Sequence, residues 1–389
     1  MDNTYFLREQ TAAKHFILRH YLQELSLITL QGAFSTLTYV DGFSGPWMSR
    51  KADFSDTSFM IAIGVLKKIR IQLRARGLRP TIKCFFVEKD EAAFTQLQSA
   101  VTIHHDEADS FCVETFNGRF EESIPAIMKF AQGMTLTFID PTGWTDYAFD
   151  RIGPLLARPA SETLVNFMYD HISRFTSWDD ETITASFNGI LRPGWRNRID
   201  RSLPPGEAAE RLFRKEFKEA GAFERVVSTP IKKLSDRTHF CITYGTRHPK
   251  GLEIYRGIEH RALRDHEFRR LESRLAKIEA TGQSLLFKAG DLNPSNAVDI
   301  QCAVEQEAAT AWLEKRLRGS EVDELFEDMW PDMLELFMLR KTDAKDICVE
   351  LAKRAIIRPT WKDRGNRIRK PDDTDPIRLC IPAPEIASS

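Results

Sequence analysis

The chain has 389 residues, enough for two domains with a sizeable core each, and its 42 % hydrophobic and 29 % charged content is that of an ordinary globular protein. A formal net charge of −1 excludes an overall attraction to nucleic acid, so any such binding must come from a local patch. No run of about 18 apolar residues occurs, and Met1-Asp2-Asn3-Thr4 lacks the basic and apolar regions of a signal peptide, so the expectation is a cytoplasmic protein with no membrane partner.

Residues 8 to 28 place Phe16, Ile17, Leu18, Tyr21, Leu22, Leu25 and Ile28 at helical spacing with Lys14, Arg19 and Glu24 between them, which predicts an amphipathic lead-in helix. Leu37 to Val40 is then a β-branched and aromatic run. It stops at Asp41-Gly42-Phe43-Ser44-Gly45-Pro46-Trp47, where glycines let the backbone turn sharply and approach a ligand. A loop from Met48 to Asp56 and a helix from Thr57 to Arg76 follow. The next strand, Cys84 to Val87, ends at Glu88-Lys89-Asp90, and an acid at a strand tip is the usual acceptor for a ribose hydroxyl pair. His104 and His105 sit among Asp106, Glu107 and Asp109 and read as a surface loop, and a third strand is expected to end near Phe116 and Asn117.

Thr135 to Ile139 is a buried strand that delivers Asp140-Pro141-Thr142-Gly143-Trp144 to a sheet edge, where open α/β folds place their ligands. Three acid-tipped strands point to a nucleoside-cofactor site. The run Leu164 to Tyr169 is followed by Asp170, which either faces the same cleft or caps a helix. His171, Arg174, Arg247 and His248 stand at strand ends, in contact with a phosphate or carboxylate or simply on the surface. Between Ser173 and Ser228 a polar, mostly helical insert carries Trp178 and Trp195, as a lid or as a packed excursion. His239 to Gly245 is the last strand of the alternating pattern, which predicts a mostly parallel, doubly wound sheet with helices on both faces.

A charged helix over 263 to 280 reads as a connector with a solvated face, and 282 to 296 reads as a linker. Helices are expected over Ala303 to Arg318, Glu321 to Leu339 with a bend at Pro331, and Ala344 to Ala355 capped by Thr342 or Asp343. Strands over Ile356 to Trp361 and Pro376 to Ile381 complete a winged helix-turn-helix pattern. The domains are therefore expected at 1–262, 263–298 as connector and linker, and 299–389. Lys353, Arg354, Arg358, Lys362, Arg364, Arg367, Arg369 and Lys370 face a single acid, Asp363, within 353–370. Arg358, Lys362, Arg364, Arg367, Arg369 and Lys370 form a candidate phosphate patch beside which Trp361 stacks. A solvated loop, or a protein-binding module, is the other reading. The six cysteines, Cys84, Cys112, Cys241, Cys302, Cys348 and Cys380, lack the short spacing of a metal site, so no metal is expected and burial is.

The glycine turn after the first strand, the acid after the second and the Asp-Pro after the fourth resemble the S-adenosylmethionine-dependent methyltransferases. The resemblance implies that Asp41, Gly42, Phe43 and Gly45 line the methionine side of the cofactor, that Glu88 holds its ribose, that Asn117 lies near its adenine, and that Asp140, Pro141 and Trp144 face the methyl acceptor. In amino-methyltransferases with Asp-Pro-Pro-aromatic, the acid and a carbonyl bind the amino group and the aromatic stacks on the base. This chain keeps acid, proline and aromatic but has Thr142 for the second proline, Trp47 where a further glycine is common, and 47 positions between Asp41 and Glu88 where a plain dinucleotide unit has about 20.

Lys14-His15-Phe16-Ile17-Leu18 with Tyr21-Leu22, Asp41 to Pro46, Phe138 to Trp144, Val165 to Tyr169 and Gly245 to Leu252, in this order, resemble the three-Cys-motif partner proteins. That bacterial and phage-associated family joins a methyltransferase-like domain to a C-terminal winged helix. The resemblance implies S-adenosylmethionine as cofactor and methyl transfer to nucleic acid. A non-catalytic role, in which the scaffold binds a radical-type three-cysteine-motif protein, and a protein substrate remain the alternatives.

Overall fold

The structure is a computed structural model and describes residues 5, 7–46, 49–175, 180–281, 296–319, 323–365 and 367–380. Trp47, Met48, Trp178, Ile381 and nearly all of the expected linker, 282–295, lie outside the described residues. The chain divides into two compact units, residues 1–293 and 294–389.

In the first unit, strands β1 (Thr36–Asp41), β2 (Thr81–Glu88), β3 (Phe111–Asn117), β4 (Met134–Ile139), β5 (Ser161–Phe167), β6 (Arg225–Lys232) and β7 (Thr238–Thr246) form one sheet in the order β3-β2-β1-β4-β5-β7-β6. The first five strands are parallel, and β7 runs antiparallel to both β5 and β6. This is a mixed α/β fold with a mostly parallel sheet. Covered on both faces, β4 and β5 are buried at every position, with Thr135, Thr137, Ser161, Glu162, Thr163 and Asn166 buried among their apolar residues.

Helices α1 (Glu9–Gln31), α2 (Ser58–Ala75) and α10 (Pro249–Glu279) pack together, and Tyr21, Phe59 and Tyr255 bring their rings against Tyr244 and Phe86 of the sheet. Val40, Phe85, Val87, Ile139, Val165 and Phe167 belong to a separate apolar cluster with α4 (Phe120–Phe130), α5 (Phe149–Leu156) and α9 (Pro205–Gly221). Helix α3 (Glu91–Thr102) packs beside β2 and β3. The insert expected between 173 and 228 is helical, with α6 (Tyr169–Phe175), α7 (Glu181–Ser186) and α8 (Asn188–Leu191) ahead of α9, and Trp195 is buried within it.

The expected connector helix is corrected. It is the second half of α10, which runs unbroken from Pro249 and belongs to the first unit. Its charged residues do not all face solvent: Arg270 is 1 % exposed and pairs with Glu267 and with the exposed Asp236, so a face that reads as solvated by composition buries one of its arginines.

The second unit contains α11 (Asn296–Arg318), α12 (Phe326–Leu336, with Pro331 inside it) and α13 (Lys341–Lys353). Asp343 is not the N-cap of α13. It sits at the third helical position, where its carboxylate accepts the Arg340 N–H at 2.8 Å, the reach-back half of a capping box. A small antiparallel sheet has the order β8 (Glu324–Leu325), β10 (Pro376–Leu379), β9 (Ile357–Arg358), one strand more than the sequence suggests. Trp361 lies on a 3-10 turn rather than on a strand. Among the described residues no helix is long and apolar enough to cross a membrane. Four cysteines are buried and Cys112 is partly so, whereas Cys380, past the end of β10, is exposed against expectation.

Candidate functional site

In the sheet, the chain runs outward from β1 through β2 to β3 on one side and through β4 to β5 on the other. Strand order thus reverses between β1 and β4, and open α/β sheets bind ligands in the crevice outside the carboxyl ends of the strands at such a point. The loop after β1 is held there by backbone bonds that extend the ladder: Gly42 N–H donates to the Phe138 carbonyl at 3.0 Å, and Ser44 N–H to that of Val87 at 2.8 Å.

A cleft of about 390 Å³ opens on this edge. Its walls come from four strand ends, with Gly42 and Phe43 after β1, Glu88 after β2, Gly118 to Phe120 after β3, and Asp140 to Gly143 after β4. Glu88 is 4 % exposed and its Oε1 accepts the Asp90 N–H at 2.8 Å. Asp146, in the left-handed region at φ 71°, accepts Lys89 at 2.7 Å and Arg119 at 3.2 Å, so the loop after β4 is strapped to those after β2 and β3 over the rim.

A second cleft of about 280 Å³ lies on the other side of Asp140 and shares Phe43, Asp140, Pro141 and Thr142 with the first. Its other walls are the start of α1 (Arg8, Lys14, His15), the start of α2 (Thr57, Ser58), Asn166 near the end of β5 and Met168 after it, and His239 and Phe240 on β7. Asp140 is the hinge between the clefts: one carboxylate oxygen pairs with Lys14 Nζ, and the other accepts Asn166 Nδ2 at 2.8 Å.

Of the expected residues, Gly42, Phe43, Glu88, Asp140 and Pro141 line the first cleft, and Gly45 the second. Asp41 does not line either one. It is fully buried beneath its own turn, where its carboxylate accepts the Phe43 N–H at 3.2 Å, and burial pushes its pKa up to about 6 against the opposing hydrogen bonds. Asn117 is exposed, and its Nδ2 donates to the Glu88 carbonyl at 3.0 Å, bracing that turn rather than the cleft.

Trp144 also turns away from the clefts. Its ring stacks on Phe187 at 4.9 Å and its Nε1 donates to Ser186 Oγ at 2.9 Å, so its aromatic surface is spent holding the insert. Asp170 faces no cleft. Burial opposes its charge, but Lys233, Arg174 and Arg237 outweigh burial and hold it below the usual carboxylate range. Arg247 donates to the Leu156 carbonyl at 2.7 Å and the Ser161 carbonyl at 2.9 Å, a structural use of a residue expected at an anion.

Sequence reasoning missed Lys14, Asn166 and Asp146 as site residues. Asn166 carried a signal, since it interrupts the apolar stretch Leu164 to Phe167 of a central strand, where asparagine is disfavoured. Lys14 had none beyond its place beside a buried stripe.

In the second unit Trp361 is 1 % exposed, so it fills the core and offers no ring to a base. Arg364 holds Asp375 (Nε to Oδ1, 2.8 Å), Arg358 pairs with Asp363 at 2.9 Å and Lys370 with Asp346 at 2.6 Å. Lys362, Arg367 and Arg369 are exposed and make no ion pair among the described residues. No cluster of metal-ligating side chains occurs among the described residues.

No family model matches the chain, and no curated protein matches it. Among solved structures it is similar to a protein from Legionella pneumophila str. Philadelphia 1 described under the family model DUF519. The likeness is 11 % identity and a TM-score of 0.33 over 62 % of this chain and 89 % of that one, too low to carry an argument.

Proposed function

We propose that the chain is a cytoplasmic S-adenosylmethionine-dependent methyltransferase acting on nucleic acid, in keeping with its resemblance to the three-Cys-motif partner proteins. The observation that carries this reading is the cleft at the β1/β4 reversal, walled by the glycine turn after β1 and by the Glu88 carboxylate after β2. A parallel sheet with a reversed strand slotted between the fifth and sixth also suits it. When bound, S-adenosylmethionine supplies an electrophilic methyl group. Glu88 would hold the ribose hydroxyls, Gly42 and Phe43 would pass beneath the sulfonium side, and the Asp140 turn would present the acceptor in line, positioning being most of the catalysis.

In the second unit, three helices and a small antiparallel sheet suit a winged helix-turn-helix that docks the polymer through Lys362, Arg367 and Arg369. Incubation of the full chain with methyl-labelled cofactor and DNA or RNA tests the reading. Label should enter the polymer, and Asp140→Ala should abolish transfer while leaving cofactor binding intact. Absence of transfer to either polymer contradicts it.

A second reading is favoured by one observation: both oxygens of Asp140 are already engaged, by Lys14 and Asn166. On that reading the scaffold is a non-catalytic partner for a three-cysteine-motif protein. Complex formation that survives Asp140→Ala, without turnover, distinguishes it.

A further inference from the structure

Strand β7 runs antiparallel to β5 with Cys241 opposite Phe167, so the start of β7 and the turn before it project past the carboxyl edge of the parallel strands, the edge that carries both clefts. His239 lines the second cleft, which sets the β6–β7 turn, residues 233–237, beside that cleft. Helix α10 holds the turn in place. Arg270 Nε donates to the Lys233 carbonyl at 3.0 Å, Arg274 Nη2 donates to that of Leu234 at 2.6 Å, and His266 Nε2 lies 3.0 Å from that of Lys232. The side chains of the turn are thus carried on a fixed backbone.

Their charges do not balance. Asp170 is 3 % exposed and one cation would neutralise it, yet it has three: Lys233 and Arg174 at 2.5 Å on one oxygen, and Arg237 at 3.4 Å on the other. Asp236, on the same turn, pairs with both Arg270 and Arg274, and Arg270 also holds Glu267. With Lys232 at the end of β6, six cations meet three acids here, in a chain whose net charge is −1. The surplus is accessible, because the side chains of Arg174 and Arg237 are 54 % and 69 % exposed. It also reaches the cleft, where His239 is lowered by burial first and by Lys233 next.

Like charges gathered on a fixed backbone repel one another, and an anion is what they lack. Guanidinium forks match phosphate geometry. The cations extend from Arg174 on α6 across the turn to Arg274 on α10, which suits successive phosphates of a chain better than a single small anion. We propose that Arg174, Lys233 and Arg237 form a phosphate-contact surface for a polynucleotide backbone at the rim of the second cleft. This deepens the nucleic-acid half of the reading above and rests on it for the identity of the polymer. It adds a contact surface within the first unit, independent of the basic residues of the second.

Binding of the full chain to labelled duplex DNA and to labelled single-stranded RNA is followed by fluorescence anisotropy over a salt series. Arg174→Ala with Arg237→Ala leaves Lys233 to neutralise Asp170, so the fold is kept. The log–log salt slope should fall by about 1.8 on the duplex or about 1.4 on the single strand, the worth of two phosphate contacts. Lysine at both positions should restore it. Arg76→Ala with Arg79→Ala removes the same charge from exposed positions ahead of β2, at the opposite edge of the sheet, and should leave the slope unchanged. Should the Arg174 and Arg237 alanine pair not fold, Arg237→Ala alone should lose half the amount.

An unchanged slope in the Arg174 and Arg237 pair overturns the proposal, as does an equal fall in the Arg76 and Arg79 pair or a parent that binds neither polymer. The phosphate chemistry has a second source, a free nucleotide, and adenosine monophosphate that binds the parent as tightly as the polymers do also overturns it. Methyl label that enters a polymer while the slope stays unchanged removes this surface and leaves the transferase reading standing. A slope that falls as expected while no label enters either polymer removes the transferase reading and leaves the surface standing.

Discussion

Lys14 on α1 and Asp140 at the end of β4, 126 positions apart in the chain, meet as an ion pair whose other carboxylate oxygen is held by Asn166. The lead-in helix is thereby tied to the hinge between the two clefts, and the acid that the sequence assigns to chemistry is already part of a three-element joint. Both side chains are largely shielded, at 15 % and 17 % exposure, so the pair is worth more than a surface one.

A double-mutant cycle on Lys14→Met and Asp140→Asn should return a coupling of about 1–3 kcal/mol in urea unfolding. Additive effects within about 0.5 kcal/mol would show that the joint holds nothing.

Asp41 makes stability depend on pH in a stated direction. Its folded pKa of about 6 lies above the ordinary 3.8, so in between the folded chain keeps a proton that the unfolded chain has lost. The associated stability is fully present below about pH 4 and is lost as pH rises through about 6, a change of about 2–3 kcal/mol. Asp41→Asn should flatten the fall by that amount between about pH 4 and pH 7 relative to the parent, measured by denaturation at each pH. An unchanged slope would mean that the carboxyl is not buried as described.

Gly42→Ala would set a Cβ 2.8 Å from the Phe120 ring, a core side chain at the start of α4. Such overpacking costs about 1–3 kcal/mol and would push the turn into the first cleft. Phe120→Leu in the same chain should recover part of the loss. A neutral Gly42→Ala would show that the turn has room.

The second unit separates core from patch. Trp361→Ala should cost about 3–5 kcal/mol in stability as a core deletion. Arg367→Ala with Arg369→Ala should leave the fold intact and reduce the log–log salt slope of DNA binding by about 2. Arg364→Ala, which frees Asp375, should behave as a folding defect. A slope unchanged by the Arg367 and Arg369 pair removes this surface from polymer binding.

Much of the α/β frame was legible in the sequence, because parallel strands buried on both faces announce themselves as apolar runs and stop at polar tips, as at Val87-Glu88 and Ile139-Asp140. What the sequence hid was the destination of polar side chains. Trp144, Arg247 and Arg364 look like ligand contacts because aromatic and arginine groups usually are notable, yet each is consumed by a neighbour distant in the chain, Phe187, the Leu156 carbonyl and Asp375. Lys14 looks ordinary and Asn166 only out of place in its strand, since their meeting at Asp140 depends on tertiary packing that no local spacing encodes. Trp361 and Arg270 show the limit of composition, a basic loop and a charged helix each burying a residue counted as exposed.

The central claim is that the first cleft holds the cofactor, and calorimetric titration of the full chain with S-adenosylmethionine beside Glu88→Ala tests it most directly. The account predicts one site per chain in the parent and at least a tenfold weaker one in the variant, measured at a temperature where both are folded. No heat of binding in the parent, or equal affinity in Glu88→Ala, would contradict it.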